Sequence, residues 1–495
     1  MTAAEDLDVV VVGAGLSGIG AAYRLKTMCP SRRVAILEGR GAVGGTWDQF
    51  RFPGVRSDSD IATLGYPFRP AKHERRTASG PSILRYIRET AAAYGIDREI
   101  RYHHRVVAAR WSTAEARWTL DVEGVGPLRC RFLYLCTGYY AYDSAHAPAF
   151  PGAESFRGRI VHPQWWPEDL DYSERRVVVI GSGATAVTLV PAMAARAGHV
   201  TMLQRSPTYI GVLPERDRAA DLLRALLPRR LADRLVRFKN IAAGVFGYWT
   251  CRRFPAAARR LLLKQARERL PPGYPVERHF RPRYEPWDQR LCLAPDGDLF
   301  AAISAGKVRV VTDTIQRFTE RGVLVSSGEE LPADLIVTAT GLKLRPFGGI
   351  SISVDGRALE PGQAVLYKGA MLGGVPNLAW CMGYSNASWT LRADLSSKLV
   401  CRLLRHMDRR GFDIAVPRAG AGQGELRPVL DLTSGYAARG VDQMPKRGSL
   451  DPWTVRQNYL RDWFAVALGR VDGPGLSFAT APPAGTSAPS PPATR

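Results

Sequence analysis

The chain has 495 residues, 45% of them hydrophobic and 23% charged, which is the make-up of a globular protein large enough for two to four domains. That composition excludes a fibrous chain, a disordered one and a mostly membrane-embedded one. Lys and Arg total 68 against 46 Asp and Glu, a formal charge of +22, and such an excess favours acidic ligands, nucleic acid or anionic lipid surfaces without choosing among them. The seven cysteines, Cys29, Cys130, Cys136, Cys251, Cys292, Cys381 and Cys401, show neither a C-x-x-C pair nor zinc spacing. No metal centre is expected, and a reducing cytoplasm is the simplest setting. The first apolar run, Leu7 to Val12, follows Glu5 and Asp6 rather than a basic region, so it does not read as a signal peptide. The longest candidate span, Ile241 to Cys251, falls short of the roughly 20 apolar residues a bilayer requires.

In chain order, residues 8–18 read DVVVVGAGLSG: a β-branched strand, then Gly13, Gly15 and Gly18 in G-x-G-x-x-G spacing, then a helix. The first glycine permits the turn, the second a close approach to pyrophosphate, the third helix-to-strand packing; the helix N-terminus supplies free N–H groups. A second strand, Val34 to Leu37, ends at Glu38, whose carboxylate accepts from an adenosine ribose and repels a 2′-phosphate. The pattern recurs at RVVVIGSGATA, with Gly181, Gly183 and Ala186 in the three positions. There the second strand, Val200 to Leu203, leads to Arg205 and Ser206, groups suited to a 2′-phosphate. One acidic and one basic ribose position imply two cofactors, FAD and NADPH. FLYLCTGY (132–139) and DLIVTATGL (334–342) each end an apolar strand in Thr-Gly and read as returns to a nucleotide fold after an insertion.

The expected fold is therefore α/β, with two Rossmann-like dinucleotide-binding domains, the NADPH domain inserted into the FAD domain. Residues 1–145 and 341–480 are expected to form the FAD domain, 146–174 a linker, 175–340 the NADPH domain with a helical insertion at about 215–270, and 481–495 a disordered, Pro-rich tail.

Within the linker lie Phe156, Gly158, His162, Trp166 and Pro167, in the pattern F-x-G-x-x-x-H-x-x-x-W-P. This resembles the fingerprint of type I Baeyer-Villiger monooxygenases, a branch of the class B flavoprotein monooxygenases, with Glu168 where the family usually has Asp or Gly. The likeness runs from Leu7 to about Phe478. Segments such as GGTWDQFRFPGVRSDSD, TMLQRSPTYI and PWDQRLCLAPDGDLF are most similar to its actinobacterial ethionamide-activating branch. The resemblance implies that Arg290 is the arginine beside the flavin and Asp58 its partner, that the Gly44-Gly45-Thr46-Trp47 turn touches flavin, and that His162 orients the linker and NADP. Many relatives have a lysine before the arginine to hold the 2′-phosphate; Gln289 stands here, which leaves more of that selectivity to Arg205 and Ser206. The implied activity is NADPH-driven oxygenation through a C4a-peroxyflavin: one atom of O₂ enters a small hydrophobic ketone to give an ester or lactone, or a thioether or thioamide is oxidised at sulfur. A flavin monooxygenase specialised in S- or N-oxidation and a non-catalytic flavoprotein binding a partner or membrane remain alternatives.

Residues 215–270 hold 15 Lys or Arg against 5 Asp or Glu, interleaved with leucines. Helices interrupted at Pro228 and Pro255 are expected. They read either as a cover over the pocket with an arginine-rich outer face or as a basic amphipathic surface in peripheral contact with anionic membrane. No nucleic-acid-binding module accompanies the charge, and the sequence places no demand on oligomeric state.

Overall fold

A computed structural model describes residues 5–72, 75–418 and 420–481, so most of the expected disordered tail lies outside the described residues. The first strand, β1 (Asp6–Val12), is followed by helix α1 (Leu16–Met28) and strand β2 (Val34–Leu37). β1 is flanked in parallel by β2 and by β3 (Gly126–Leu135), which is why it is an unbroken β-branched run: Val9, Val10 and Val11 are fully buried, with apolar groups required on both faces. These strands belong to an 11-stranded sheet whose outer part is antiparallel, through the hairpin strands Val106–Ser112 and Arg117–Val122. Strand β4 (Tyr140–Ala145) leads out of this sheet and pairs with Leu342–Leu344.

The second unit repeats the plan. Strand β5 (Arg176–Ile180), helix α2 (Ala184–Ala194) and strand β6 (His199–Gln204) stand where β1, α1 and β2 stand in the first. Next come helices α3 (Arg218–Leu226), α4 (Arg229–Arg253) and α5 (Pro255–Arg267). Pro228 separates the first two and Pro255 opens the third, a position where its missing N–H costs nothing. Strand β7 (Leu335–Thr338) closes a five-stranded parallel sheet by pairing with β5 and with Arg159–Val161.

The two Thr-Gly strands thus differ in destination. β3 completes the first sheet and β7 the second, and the chain re-enters the first sheet later, with Ser351–Val354 and Leu378–Trp380. Helix α6 (Trp389–Arg410) then packs on α1, helix α7 (Gly435–Gly440) on Leu342–Leu344, and helix α8 (Tyr459–Ala467) on α6. Among the described residues no helix is long and apolar enough to cross a membrane.

Candidate active site

Each glycine-rich turn is shaped by the strand that returns beside it. Gly13 has φ +105°, and a Cβ there would lie 2.7 Å from the Cys136 carbonyl oxygen; Gly181 has φ +143°, and its Cβ would lie 2.4 Å from the carbonyl oxygen of Ala339. Cys136 and Ala339 each open the Thr-Gly that follows their strand, so one steric rule builds both turns. Gly18 is equally constrained, since a Cβ would fall 1.8 Å from the Gly13 carbonyl oxygen, whereas Ala186 carries its methyl fully buried. Gly15 and Gly45 bring their backbones together: a Cβ on Gly45 would sit 3.1 Å from the Gly15 Cα.

Glu38 is buried at the end of β2 and accepts hydrogen bonds from the backbone N–H groups of Ala14 (2.7 Å) and Arg40 (3.0 Å). Burial pushes its pKa above the usual carboxylate value, against the lowering effect of those two donors. Thr46 and Trp47 open the short helix Thr46–Gln49, and the Thr46 hydroxyl lies 3.3 Å from that of Tyr142 on β4.

Arg290 and Asp58, 232 positions apart, meet in an ion pair of 2.8 Å. The Asp58 carboxylate raises the pKa of the guanidinium still further, so its charge is permanent. Tyr139, Tyr140 and Tyr436 stand around the same guanidinium. Tyr139 and Tyr140 meet edge to face at 4.5 Å, and burial raises the pKa of the Tyr140 hydroxyl and pushes that of Tyr436 up to about 12. Arg290 rides on a loop in which Trp287 adopts φ +73°, a left-handed conformation unusual for a bulky residue. Tyr248 of α4 packs edge to face on Trp287 at 5.4 Å, and Arg252 pairs with Asp288 at 2.6 Å.

The linker motif is held from within. Phe156 is buried, and a Cβ on Gly158 would strike both the Phe156 ring and the Asp334 carbonyl oxygen at 2.5 Å. The His162 ring accepts from the Gln164 N–H at 3.1 Å, and burial lowers its pKa. Trp166, followed by Pro167, meets Tyr172 edge to face at 6.2 Å. Glu168 pairs with Arg51. Gln164, which drew no attention in the sequence, is fully buried and donates to the carbonyls of Ala141 (2.9 Å) and Tyr142 (3.1 Å). It fastens the motif to β4.

At the second cradle, Arg205 and Ser206 are exposed, and the Ser206 carbonyl accepts from the Ser182 hydroxyl at 2.9 Å. A further cation stands there. Arg439 of α7 has its guanidinium beside Gly341, 3.5 Å from where a Cβ would be, and its pKa is lowered by burial and then by Arg205. Neither arginine has a carboxylate partner among the described residues. Nothing local in the sequence marks Arg439, because it lies 234 residues from Arg205.

One cavity of about 660 Å³ receives groups from both cradles: Gly13, Gly15 and Glu38 from the first, Ala184 and Thr185 at the start of α2, and Arg290 with Asp58 between them. The donor set suits a dinucleotide at each turn. A Cβ on Gly183 would meet no protein atom within 4 Å, so the backbone at the N-terminus of α2 faces open space as a pyrophosphate requires. Among the described residues no cluster of His, Cys, Asp and Glu could hold a metal ion.

Two glycine-rich strand–turn–helix units, the helix of the second reaching the cavity lined by the turn of the first, are the architecture of a two-dinucleotide oxidoreductase. Residues 10–212 match the family model described as pyridine nucleotide-disulphide oxidoreductase, although the chain has no C-x-x-C dithiol. The chain is 54% identical over 482 residues to the FAD-containing monooxygenase EthA of Mycobacterium tuberculosis, covering 97% of this chain and 99% of that one. It belongs to this family of FAD-containing monooxygenases. Its fold is that of OTEMO solved with FAD and NADP (TM-score 0.74, 21% identity, 96% of this chain and 100% of the other). Cyclohexanone monooxygenase from Rhodococcus sp. Phi1 bound to NADP+ shares it (TM-score 0.75, 19% identity, 97% and 100%).

Proposed function

We propose that this FAD-containing monooxygenase uses NADPH and O₂ to convert ketones to esters or lactones and to oxidise the sulfur of thioethers or thioamides. The observation that carries the reading is the cavity in which the first glycine-rich turn and the start of α2 meet the Arg290–Asp58 pair. We assign the first sheet, with residues 1–145 and 341–480, to FAD and residues 175–340 to NADPH. When bound, the flavin, reduced by NADPH, supplies the O₂ activation and oxygen transfer.

The chain's own residues then have distinct tasks. Glu38 receives the adenosine ribose of FAD. The Gly44-Gly45-Thr46-Trp47 turn seats the flavin, and the N-termini of α1 and α2 face the two pyrophosphates. Arg205, Ser206 and Arg439 receive the 2′-phosphate, taking the place of the lysine that Gln289 replaces. Arg290 presents a fixed positive charge where negative charge develops on oxygen, and Asp58 sets its position; donors of this kind are typically worth about 3–4 kcal/mol to the transition state. Tyr139, Tyr140 and Tyr436 surround it with aromatic surface that excludes water. His162 and Gln164 position the linker.

Product analysis with ¹⁸O₂, comparing a simple ketone with a thioether, tests the function. Label is expected in the ester from the one and the sulfoxide from the other; NADPH consumption without labelled product would overturn the proposal. Arg290→Ala should retain FAD and its reduction by NADPH while losing oxygenated product, and wild-type product yield would remove Arg290 from the reaction.

A further inference from the structure

Helix α4 has two faces of different kinds. Ala232, Val236 and Ile241 are buried, while Leu231, Leu235, Phe238, Phe246 and Trp249 are exposed, Phe246 by 65%. At 100° per residue the exposed five fall within a stripe roughly 80° wide, along a helix about 37 Å long. The packed side lies opposite, so the stripe is not surplus from core formation. Helix α3 adds Leu222 and Leu226, the latter 71% exposed. At the far end Phe246 stacks on Trp249 at 5.9 Å, Trp249 meets Phe254 edge to face, and Arg253 lies over the Phe254 ring.

Charge follows the same division. Asp217 and Asp233 turn inward, their side chains 13% and 14% exposed, and are taken up by Lys239 and Arg224. Arg218 on α3 and Arg234 and Arg253 on α4 have no carboxylate partner among the described residues. Arg253 falls within the stripe and Arg234 at its edge, so exposed guanidinium groups accompany the apolar side chains along this helix.

We propose that the outer face of α3 and α4 docks on an anionic lipid bilayer, the stripe entering the boundary between headgroups and acyl chains and the free arginines meeting lipid phosphates. A second copy of the chain would cover the stripe equally well, but it would bring two arrays of unpaired cations face to face, a repulsion that an anionic surface turns into attraction. Nucleic acid would satisfy the arginines and leave the stripe in water. The inner face of the same helix grips the Arg290 loop through Tyr248 and Arg252, so the docked enzyme would meet hydrophobic substrates where they are concentrated. The docking itself is independent of the catalytic reading.

The test is flotation of the FAD-loaded enzyme with phosphatidylcholine vesicles, with and without phosphatidylglycerol. Binding is expected only with the anionic lipid, with Trp emission quenched by brominated acyl chains. The pairs Phe246→Ser/Trp249→Ser and Arg234→Glu/Arg253→Glu should each weaken it about tenfold or more, with FAD content and melting temperature unchanged. Absence of binding to anionic vesicles, or binding that neither pair affects, would overturn the proposal. So would light scattering that shows a dimer which both pairs dissociate, without any vesicle binding.

Discussion

Arg205 and Arg439 form a pair that only the folded chain brings together, and their mutual repulsion has a use. Two guanidiniums without a carboxylate are stabilised by an anion between them, and a 2′-phosphate is the anion that separates NADPH from NADH. Arg439→Ala and Arg205→Ala should each raise the Kd for NADP⁺ about tenfold or more while changing that for NAD⁺ little, which titration of the purified enzyme reads directly; equal losses for both coenzymes would place the arginines on the pyrophosphate instead. Glu38 behaves in the opposite way. Its folded pKa lies above the ordinary value of 4.5, so it binds its proton more tightly in the folded chain than in the unfolded one. Its contribution to stability is therefore complete below the unfolded value and is lost as pH rises through the folded one. Glu38→Gln should accordingly raise the melting temperature of the FAD-free protein more at pH 8 than at pH 4, while weakening FAD about tenfold by removing the charged ribose acceptor. Calorimetry of the apoprotein at the two pH values checks the first effect and flavin titration the second. Glu38 and Arg205 were legible in the sequence because each lies a fixed distance beyond a glycine-rich turn. Arg439 was not, because the contact that brings it in is made by a separate helix late in the chain.

At the level of elements, the repeated strand, turn and helix were readable from β-branched runs and glycine spacing alone. The destinations of the Thr-Gly strands were not. β3 and β7 carry the same local signal because each supplies the carbonyl that forbids a side chain on its glycine-rich turn, and this role belongs to either sheet. The later re-entry uses short strands, Ser351–Val354 and Leu378–Trp380, whose pairing is set by tertiary contact rather than by pattern. The linker motif was legible as a fingerprint, but the residue that fastens it, Gln164, sits between its fixed positions. Gln164→Leu should leave the Ala141 and Tyr142 carbonyls without their shared donor and destabilise the protein by about 1–3 kcal/mol. A shift in the thermal midpoint, together with looser coupling of NADPH consumption to product, would register that loss.

Across the whole molecule, a buried ion pair ties helix α8 to helix α6. Arg392 on α6 and Asp462 on α8 are both buried, the Tyr384 hydroxyl donates to Asp462 at 2.6 Å, and Arg392 donates to the Lys368 carbonyl at 2.8 Å. Asp462→Ala should strand a buried cation and cost about 3–5 kcal/mol, while replacement of both partners by apolar residues of similar size should recover most of it; denaturant midpoints of the FAD-loaded enzyme separate the two cases. The net charge of +22 was visible at once, but not its local arrangement, with Asp233 turned inward and Arg234 and Arg253 exposed on the same helix.

Arg237 shows how that helix is seated. Its guanidinium has no carboxylate partner among the described residues and donates to the carbonyl oxygens of Ala62 (2.6 Å) and Gly65 (2.7 Å), just beyond the turn that carries Asp58. Away from solvent, such a cation is held by backbone dipoles that mobile ions do not reach. Ionic strength then becomes a selective tool. On the proposed docking, high salt should release the enzyme from anionic vesicles while the bonds from Arg237 to the Ala62 and Gly65 carbonyls persist.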